Sequence, residues 1–227
     1  MKVQRGNPST RPALPGPIRH WMLACLLAWL PLLLPAQDYF GKYNLSVGAG
    51  VAIPQQDLDD AFTAAPVVTV NFGYRFARNF QLDAGLDTAF GAADIRTFTR
   101  TDIGTLEIND RQFFLPLGGR VILPFGDSGR HELYAGGGGA YLRYSEMIRQ
   151  PSDFFRIPCT VCSRRSGWGG YGLVGYRSAL NRGRNFWVGV TTKVYRGRTD
   201  GEQFGNVPPI RTQDRWTFVQ GEFTFAF

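Results

Sequence analysis

The chain has 227 residues, of which 28 are glycine and 14% are aromatic, proportions that suit many close-packed strands. This length suits one domain or a small barrel and is short for two domains. The formal net charge is +7, but residues 1–37 hold four basic and no acidic residues. Residues 38–227 therefore carry 21 basic and 18 acidic residues, a net charge of +3. So weak a charge gives no indication of a nucleic-acid partner.

Residues 1–37 have the organisation of a cleaved export signal. Basic residues precede an apolar run of 14 residues at 21–34, and the small residue Ala36 follows. The run is too short to span a bilayer as a helix, which needs about 20 residues. We predict a signal peptide at 1–37 and a mature domain at 38–227.

After residue 37, apolar residues alternate with polar or small ones in eight stretches. Because a strand projects successive side chains to opposite faces, this period predicts strands with one apolar face. Each stretch has about the nine to eleven residues, or slightly more, that a tilted membrane strand needs. We predict strands at 43–53, 66–76, 80–90, 111–123, 132–145, 167–178, 186–196 and 216–227.

The connections between these strands alternate in length. Short connections follow the second, fourth and sixth strands, at 77–79, 124–131 and 179–185. Long connections follow the others, at 54–65, 91–110, 146–166 and 197–215. This alternation is typical of outer-membrane barrels, which have short periplasmic turns and longer extracellular loops.

The last predicted strand is amphipathic to its final residue. Val219, Phe223, Phe225 and Phe227 lie at alternating positions on one face. This pattern resembles the terminal β-signal of bacterial outer-membrane barrels, the segment that the insertion machinery recognises. The resemblance implies that the barrel-assembly machinery is a partner during insertion.

Charged residues indicate which face is interior. Six of them fall at mid-strand on the polar face, with signs that balance: Arg75, Asp83, Asp87, Arg120, Lys193 and Glu222. In a soluble lipocalin-like barrel these residues would be ordinary surface. In a narrow membrane barrel they can pair inside, where neighbouring glycines leave room for them. We predict that all six face the barrel interior.

Aromatic residues gather near the predicted strand ends, which indicates two interfacial girdles. The predicted periplasmic girdle comprises Tyr39, Phe40, Phe76, Phe80, Phe125, Phe186 and Phe227. The predicted outer girdle comprises Phe90, Tyr144, Trp168, Tyr195 and Trp216.

The mature chain as a whole resembles the family of the OmpA transmembrane domain and OmpX-type proteins. The resemblance implies an all-β, eight-stranded antiparallel up-and-down barrel in the bacterial outer membrane, with four longer extracellular loops and membrane lipid as a partner. We expect a plugged interior and a structural or surface-interaction role through the loops, whose ligand the sequence does not name. The alternative is a narrow porin for ions or small solutes. Two further alternatives are a soluble lipocalin-like binding barrel and an outer-membrane lipid-modifying enzyme.

Histidine usage bears on the enzyme alternative. Outer-membrane barrel enzymes carry a His near the outer rim, whereas His131, the single His after residue 37, falls in a predicted periplasmic turn. A His-assisted nucleophile is therefore missing. The sequence predicts a non-enzymatic protein without catalytic, cofactor-binding or metal-binding residues.

Cys159 and Cys162 form a C-x-x-C sequence in the third long loop. Because the compartment outside the cytoplasm is oxidising, we predict a local disulfide between them. A redox role is the alternative, since neighbouring arginines would favour the thiolate.

We expect mass spectrometry of the unreduced mature protein to find Cys159 linked to Cys162, with neither thiol open to alkylation. Replacing both with Ser is expected to leave barrel assembly unchanged, because the bridge closes a small ring in a loop. A readily alkylated pair would support the redox alternative instead.

Overall fold

Strands account for most of the residues that the computed structural model describes, namely 41–56, 58, 62–92, 97–100, 104–126, 129–149, 156–158, 165–201 and 211–227. The predicted signal at 1–37 lies outside these residues, as do Cys159 and Cys162. Within the described chain, no helix is long and apolar enough to cross a membrane.

The described strands are ten in number, and we label them in chain order. They are β1 (Tyr43–Gln56), β2 (Ala65–Ala77), β3 (Phe80–Phe90), β4 (Thr97–Arg100), β5 (Gly104–Phe125), β6 (His131–Arg149), β7 (Arg156–Pro158), β8 (Arg165–Ala179), β9 (Phe186–Gly201) and β10 (Arg211–Ala226).

Eight of these strands form one closed antiparallel ring. The order around the ring is β1, β2, β3, β5, β6, β8, β9 and β10, and β10 pairs with β1 to close it. The two short strands add to this ring, β4 on β5 and β7 on β6. The predicted eight-stranded up-and-down barrel is confirmed. The sequence missed β4 and β7 because three or four residues are too few to show a period.

At the end of the barrel that carries the long connections, the strands extend further than the sequence predicted. β5 begins at Gly104 instead of 111, and β9 ends at Gly201 instead of 196. In the β9 extension Arg198 and Asp200 point outward and Thr199 points inward, so the apolar–polar alternation that marked this strand ends before the backbone pairing does. The alternation of short and long connections is retained.

The outer wall of the barrel is apolar. Leu117 is 69% exposed and Val190 59% exposed, and the same holds on every strand of the ring. Such a wall is stable against hydrocarbon, as in membrane barrels, whereas a soluble barrel requires the opposite arrangement. Other exposed apolar residues include Leu45, Val47, Val51, Val68, Val70, Phe72, Leu82, Leu86, Val121, Leu133, Val174, Val188 and Val219.

The two predicted girdles have different outcomes. In the periplasmic girdle, the five described rings are exposed on the wall: Phe76, Phe80, Phe125, Phe186 and Phe227. In the outer girdle, Trp168 is 75% exposed, but Tyr144, Tyr195 and Trp216 are buried inside the barrel, so their assignment was wrong. These rings are buried because of their position in the two-residue alternation of the strand. Tyr195 lies two residues from the inward-facing Lys193, and a strand sends such neighbours to the same side.

The terminal strand closes the ring through its last residue. The Phe227 amide donates to the Tyr43 carbonyl at 2.8 Å, and the Tyr43 amide donates to the Phe227 carbonyl at 2.9 Å. The Phe227 ring lies 5.9 Å from the Tyr43 ring and 5.6 Å from the Phe225 ring. Val219, Phe223 and Phe225 face outward from the same strand.

Deletion of Phe227 is expected to leave export intact and to lower the yield of assembled barrel. The deletion removes both backbone bonds to Tyr43 at the seam, which lipid cannot replace. The measurement is the heat-dependent gel mobility of the outer-membrane fraction. The control is Phe76→Ala, which removes an exposed ring from the same girdle without touching the seam. Assembly of the deletion at the wild-type level would contradict this role for Phe227.

Candidate functional site

The polar residues of each strand point inward and line the interior of the barrel. The structure places all six of the sequence-predicted charges there, each with at most 7% of its surface exposed: Arg75, Asp83, Asp87, Arg120, Lys193 and Glu222. The buried acids Asp110 and Asp214 lie apart from them, closer to the long connections, whereas Glu132 and Arg177 join them at 3% and 5% exposure. We call these eight residues the ionic core. It contains four basic and four acidic side chains.

Glycines make room for these long side chains. A Cβ on Gly175 would lie 2.4 Å from the Tyr134 ring, and one on Gly136 would lie 2.7 Å from the Arg120 Cβ. Contacts this short do not occur between real side chains, so the inner wall accepts only glycine at these two positions. The glycine-rich stretches of β6 and β8 thus allow a narrow barrel to hold large polar groups.

Asp83 and Arg120 form one ion pair of the ionic core. The Arg120 Nε donates to the Asp83 Oδ2 at 2.6 Å, and Gln81 donates to the other carboxylate oxygen at 2.6 Å. The Arg120 guanidinium also lies over the Tyr134 ring, 4.9 Å from its centroid. Both oxygens of Asp83 are therefore satisfied within the barrel.

Asp87 and Lys193 form a second pair, across the lumen from β3 to β9. The Lys193 Nζ lies 3.0 and 2.9 Å from the two Asp87 oxygens and 3.4 Å from the Asn71 Oδ1. The Tyr195 hydroxyl donates to Asp87 at 2.5 Å. This pair is almost completely enclosed, with Asp87 at 0% and Lys193 at 1% exposure.

Glu132 holds two arginines near the periplasmic end. Its Oε1 accepts from Arg75 at 3.0 Å, and its Oε2 accepts from the Arg177 Nε at 2.6 Å. The sequence missed Glu132 and Arg177 because the glycines of β6 and β8 leave the phase of those strands open. An acid and a base that lie opposite each other on adjacent strands could have revealed them. That signal becomes visible only once the register is known, because the register places Glu132 opposite Arg177.

Glu222 is held by neutral donors. Gln220 donates to its Oε1 at 2.8 Å, and the Tyr134 hydroxyl donates to its Oε2 at 3.3 Å. The same hydroxyl lies 2.6 Å from the Thr191 hydroxyl oxygen. This acid therefore belongs to a hydrogen-bond network that joins β6, β9 and β10.

A second layer, toward the long connections, is aromatic. It consists of six buried rings, which we call the aromatic cluster: Phe62, Phe114, Tyr144, Tyr195, Trp216 and Phe218. Phe114 lies at its centre, with ring centroids 4.9 Å from Tyr195 and 5.0 Å from Phe218. The Trp216 Nε1 donates to the Tyr144 hydroxyl at 2.9 Å, so the polar atoms of the cluster also find partners.

Arg165 covers the aromatic cluster from the outer end. Its guanidinium lies 4.9 Å from the Tyr144 ring and 5.7 Å from the Phe62 ring, and it donates to the Thr212 hydroxyl at 3.0 Å. The sequence analysis did not bring these rings together, because it assigned Tyr144, Tyr195 and Trp216 to an interfacial girdle and Phe62 to a long connection.

His131 lies at the start of β6, next to a short connection, with its Nδ1 2.8 Å from the Tyr176 hydroxyl. Within the described chain, no group of three or more His, Cys, Asp or Glu residues is placed to hold a metal ion.

Comparison with known proteins identifies the fold. No protein-family model matches the chain, and no curated protein matches it. The crystal structure of Neisserial surface protein A is similar over 84% of this chain and 100% of that chain, with a TM-score of 0.50 and 11% identity. The chain has the fold of the eight-stranded bacterial outer-membrane barrels.

Two other solved structures are similar at lower scores. The outer membrane protein OprG from Pseudomonas aeruginosa matches over 83% of this chain and 98% of that chain, with 12% identity and a TM-score of 0.48. Ail, the attachment invasion locus protein of Yersinia pestis, was solved with the heparin analogue sucrose octasulfate. It matches over 82% of this chain and 100% of that chain, with 12% identity and a TM-score of 0.47.

The location of the protein follows from its own wall. Closed barrels with an apolar band outside and polar side chains inside are the β-structures that span the bacterial outer membrane. This chain forms such a barrel, and it resides in the bacterial outer membrane.

The pair Asp83–Arg120 offers a stability test. Arg120→Met is expected to lower the free energy of unfolding by about 3–5 kcal/mol, because it leaves a buried carboxylate unmatched. The double variant Asp83→Asn/Arg120→Met is expected to recover much of this loss. The measurement is denaturant unfolding of the barrel in lipid vesicles.

Arg143→Met is the matched control, because Arg143 is exposed on the outer face of β6. Its effect is expected to stay within about 0.5 kcal/mol. Equal losses from Arg120→Met and Arg143→Met would contradict the pairing inside the barrel.

Proposed function

We propose that this protein is a closed, non-enzymatic outer-membrane barrel that acts at the cell surface through the connections at its outer end, in a structural or interaction role. The observation that carries this proposal is the filling of the lumen by two layers in series, the ionic core and the aromatic cluster. Each layer opposes the passage of ions for a different physical reason.

The ionic core opposes ion flow because its charges are already matched. A permeating ion would have to compete with pairs such as Asp87–Lys193, whose carboxylate also accepts from Tyr195. Charges attract strongly in an interior of low effective dielectric, so separating them is costly. Eight strands enclose an interior only wide enough for side chains, which leaves little room for a parallel path.

The aromatic cluster opposes ion flow by excluding water. Phe114 and Trp216 are both 0% exposed, and their rings pack edge to face with centroids 6.0 Å apart. A hydrophobic constriction of this kind keeps a pore dry, and a dry segment blocks ions without any fixed charge.

The acids of the ionic core support a structural role over acid–base catalysis. Asp83, Asp87 and Glu132 each accept from a basic side chain of the same core, at 2.6 to 3.0 Å. A carboxylate engaged in this way is poorly placed to exchange protons with a substrate. The long connections at the outer end are the remaining surface for function, as is usual for loops on a rigid scaffold.

A narrow pore is the alternative function, and one observation favours it. Within the described chain, the buried Tyr171 hydroxyl and the Gln220 Oε1 have no protein partner. Buried polar atoms of this kind are commonly satisfied by water, and water in the lumen would be the beginning of a path.

Planar-bilayer recording separates the two functions. The wild-type barrel is expected to show no steady conductance. Asp83→Ala/Arg120→Ala is expected to stay nearly silent, because the aromatic cluster remains in series with the opened core. Adding Phe114→Ala and Trp216→Ala is expected to produce a steady small-ion channel.

Leu117→Ala/Val121→Ala is the control, because it truncates two side chains on the outer wall of β5 and leaves the lumen filled. It is expected to stay silent. Heat-dependent gel mobility verifies that every variant recorded is folded. Large, steady wild-type channels that the interior variants leave unchanged would overturn the closed barrel and favour the pore.

A further inference from the structure

Three arginines form a cluster on the outer wall of the barrel. Arg196 and Arg198 of β9 and Arg215 of β10 all point outward and are exposed. Arg196 and Arg215 lie directly opposite each other across the strand pair, and Arg198 lies two residues further along the same face. We call these three residues the arginine patch.

This arrangement is unfavourable for the protein alone. Like charges directly opposite each other on one face of a sheet destabilise the pairing. Within the described chain, no ion pair or hydrogen bond engages the side chains of the arginine patch. The acidic residue on the same described face of β9 is Asp200, which lies beyond Arg198 and opposite Arg211. The described part of the chain therefore supplies no anion that pairs with the patch.

The patch lies where the apolar wall ends. The outward positions before it are apolar or small, with Val188, Val190 and Val194 on β9. The ten residue-to-residue steps from Phe186, in the periplasmic girdle, to Arg196 span about 33 Å along the strand. A strand tilt of about 40° reduces this length to about 25 Å across the membrane, the height of the apolar band of such barrels. The patch thus lies at the level of the outer lipid headgroups.

The surroundings of the patch also fit a membrane interface. Trp168 lies opposite Arg198 on β8 and is 75% exposed, as is usual for a tryptophan at the headgroup level. Gly170 lies opposite Arg196 and faces outward. A Cβ there would meet its nearest atom at 3.4 Å, so the wall beside Arg196 forms a shallow recess.

We propose that the arginine patch binds the phosphate group of a lipid in the outer leaflet. Guanidinium groups bind phosphate through paired hydrogen bonds, and two opposed arginines can hold one phosphate between them. The patch points sideways from the wall rather than upward from a loop. This direction favours a membrane lipid over a soluble polyanion.

The test measures binding of lipid A, a glycolipid with two phosphates, to the folded barrel in detergent by native mass spectrometry. The wild type is expected to bind lipid A more tightly than the same lipid after enzymatic dephosphorylation. Arg196→Gln/Arg198→Gln/Arg215→Gln is expected to weaken lipid A binding about a hundredfold, since each basic residue near an anionic membrane surface contributes roughly a factor of five.

The control removes three basic residues from the opposite end of the barrel, and it is expected to bind lipid A as the wild type does: Lys42→Gln/Arg182→Gln/Arg184→Gln. Heat-dependent gel mobility selects folded protein. Where the triple patch variant does not fold, Arg196→Gln/Arg215→Gln replaces it, with an expected loss of more than tenfold.

Three results would overturn the proposal. The first is a patch variant that binds lipid A as tightly as the control variant does. The second is a wild type that binds the dephosphorylated lipid equally well. The third is a soluble sulfated oligosaccharide that binds the wild-type patch more tightly than lipid A does, which would assign the patch to a soluble polyanion.

Discussion

The structure depends on one constraint: every backbone N–H and C=O group that faces lipid needs a partner within the protein. A sheet meets this requirement when its first and last strands pair, as β1 and β10 do from Asn44 opposite Ala226 to Gln56 opposite Asp214. Closure with eight strands then fixes a lumen only as wide as its own side chains. The composition of the interior follows from that width, because whatever points inward must fit, pack and find a partner there.

The interior meets this demand by placing large side chains next to glycines, which have none. Gly136 and Gly175 leave the space that Arg120 and Tyr134 occupy, so the bulk of one strand matches the absence of bulk on its neighbour. Within the ionic core charge is balanced, with four residues of each sign, and the two other buried acids, Asp110 and Asp214, accept hydrogen bonds from neutral donors. A buried ion pair adds little net stability, but removal of one partner is costly, so such a core fixes the register of the strands. The aromatic cluster above it fills the remaining width without charge.

The sequence predicted the eight strands of the ring because a period of two is visible wherever one face meets lipid. It failed where that contrast is absent. The run Gly136–Gly139 carries no side chains, so the phase of β6 was open, and with it the inward direction of Glu132 and Arg177. Tyr195 and Trp216 failed differently: their phase was available, but aromatic identity near a strand end was given more weight. The partners of each charge require the register around the ring, which no single strand contains, and Asp87 meets Lys193 across more than a hundred residues of chain.

Because side chains alternate in direction along a strand, arginines occur in two opposite environments, the barrel interior and its outer wall. Arg120 and Arg177 point inward, where each lies against a carboxylate and the Tyr134 ring. On β9 and β10, Arg196 and Arg215 point outward, where no carboxylate of the described chain forms an ion pair with them. An inward arginine can be matched by the protein itself, because the opposite wall is close enough to supply the acid. An outward arginine faces only the membrane, so the height at which it leaves the wall determines what can match it. Where the apolar wall ends, the partner of an outward arginine is a headgroup phosphate. Two opposed arginines, which repel each other within the sheet, can then bind one lipid together.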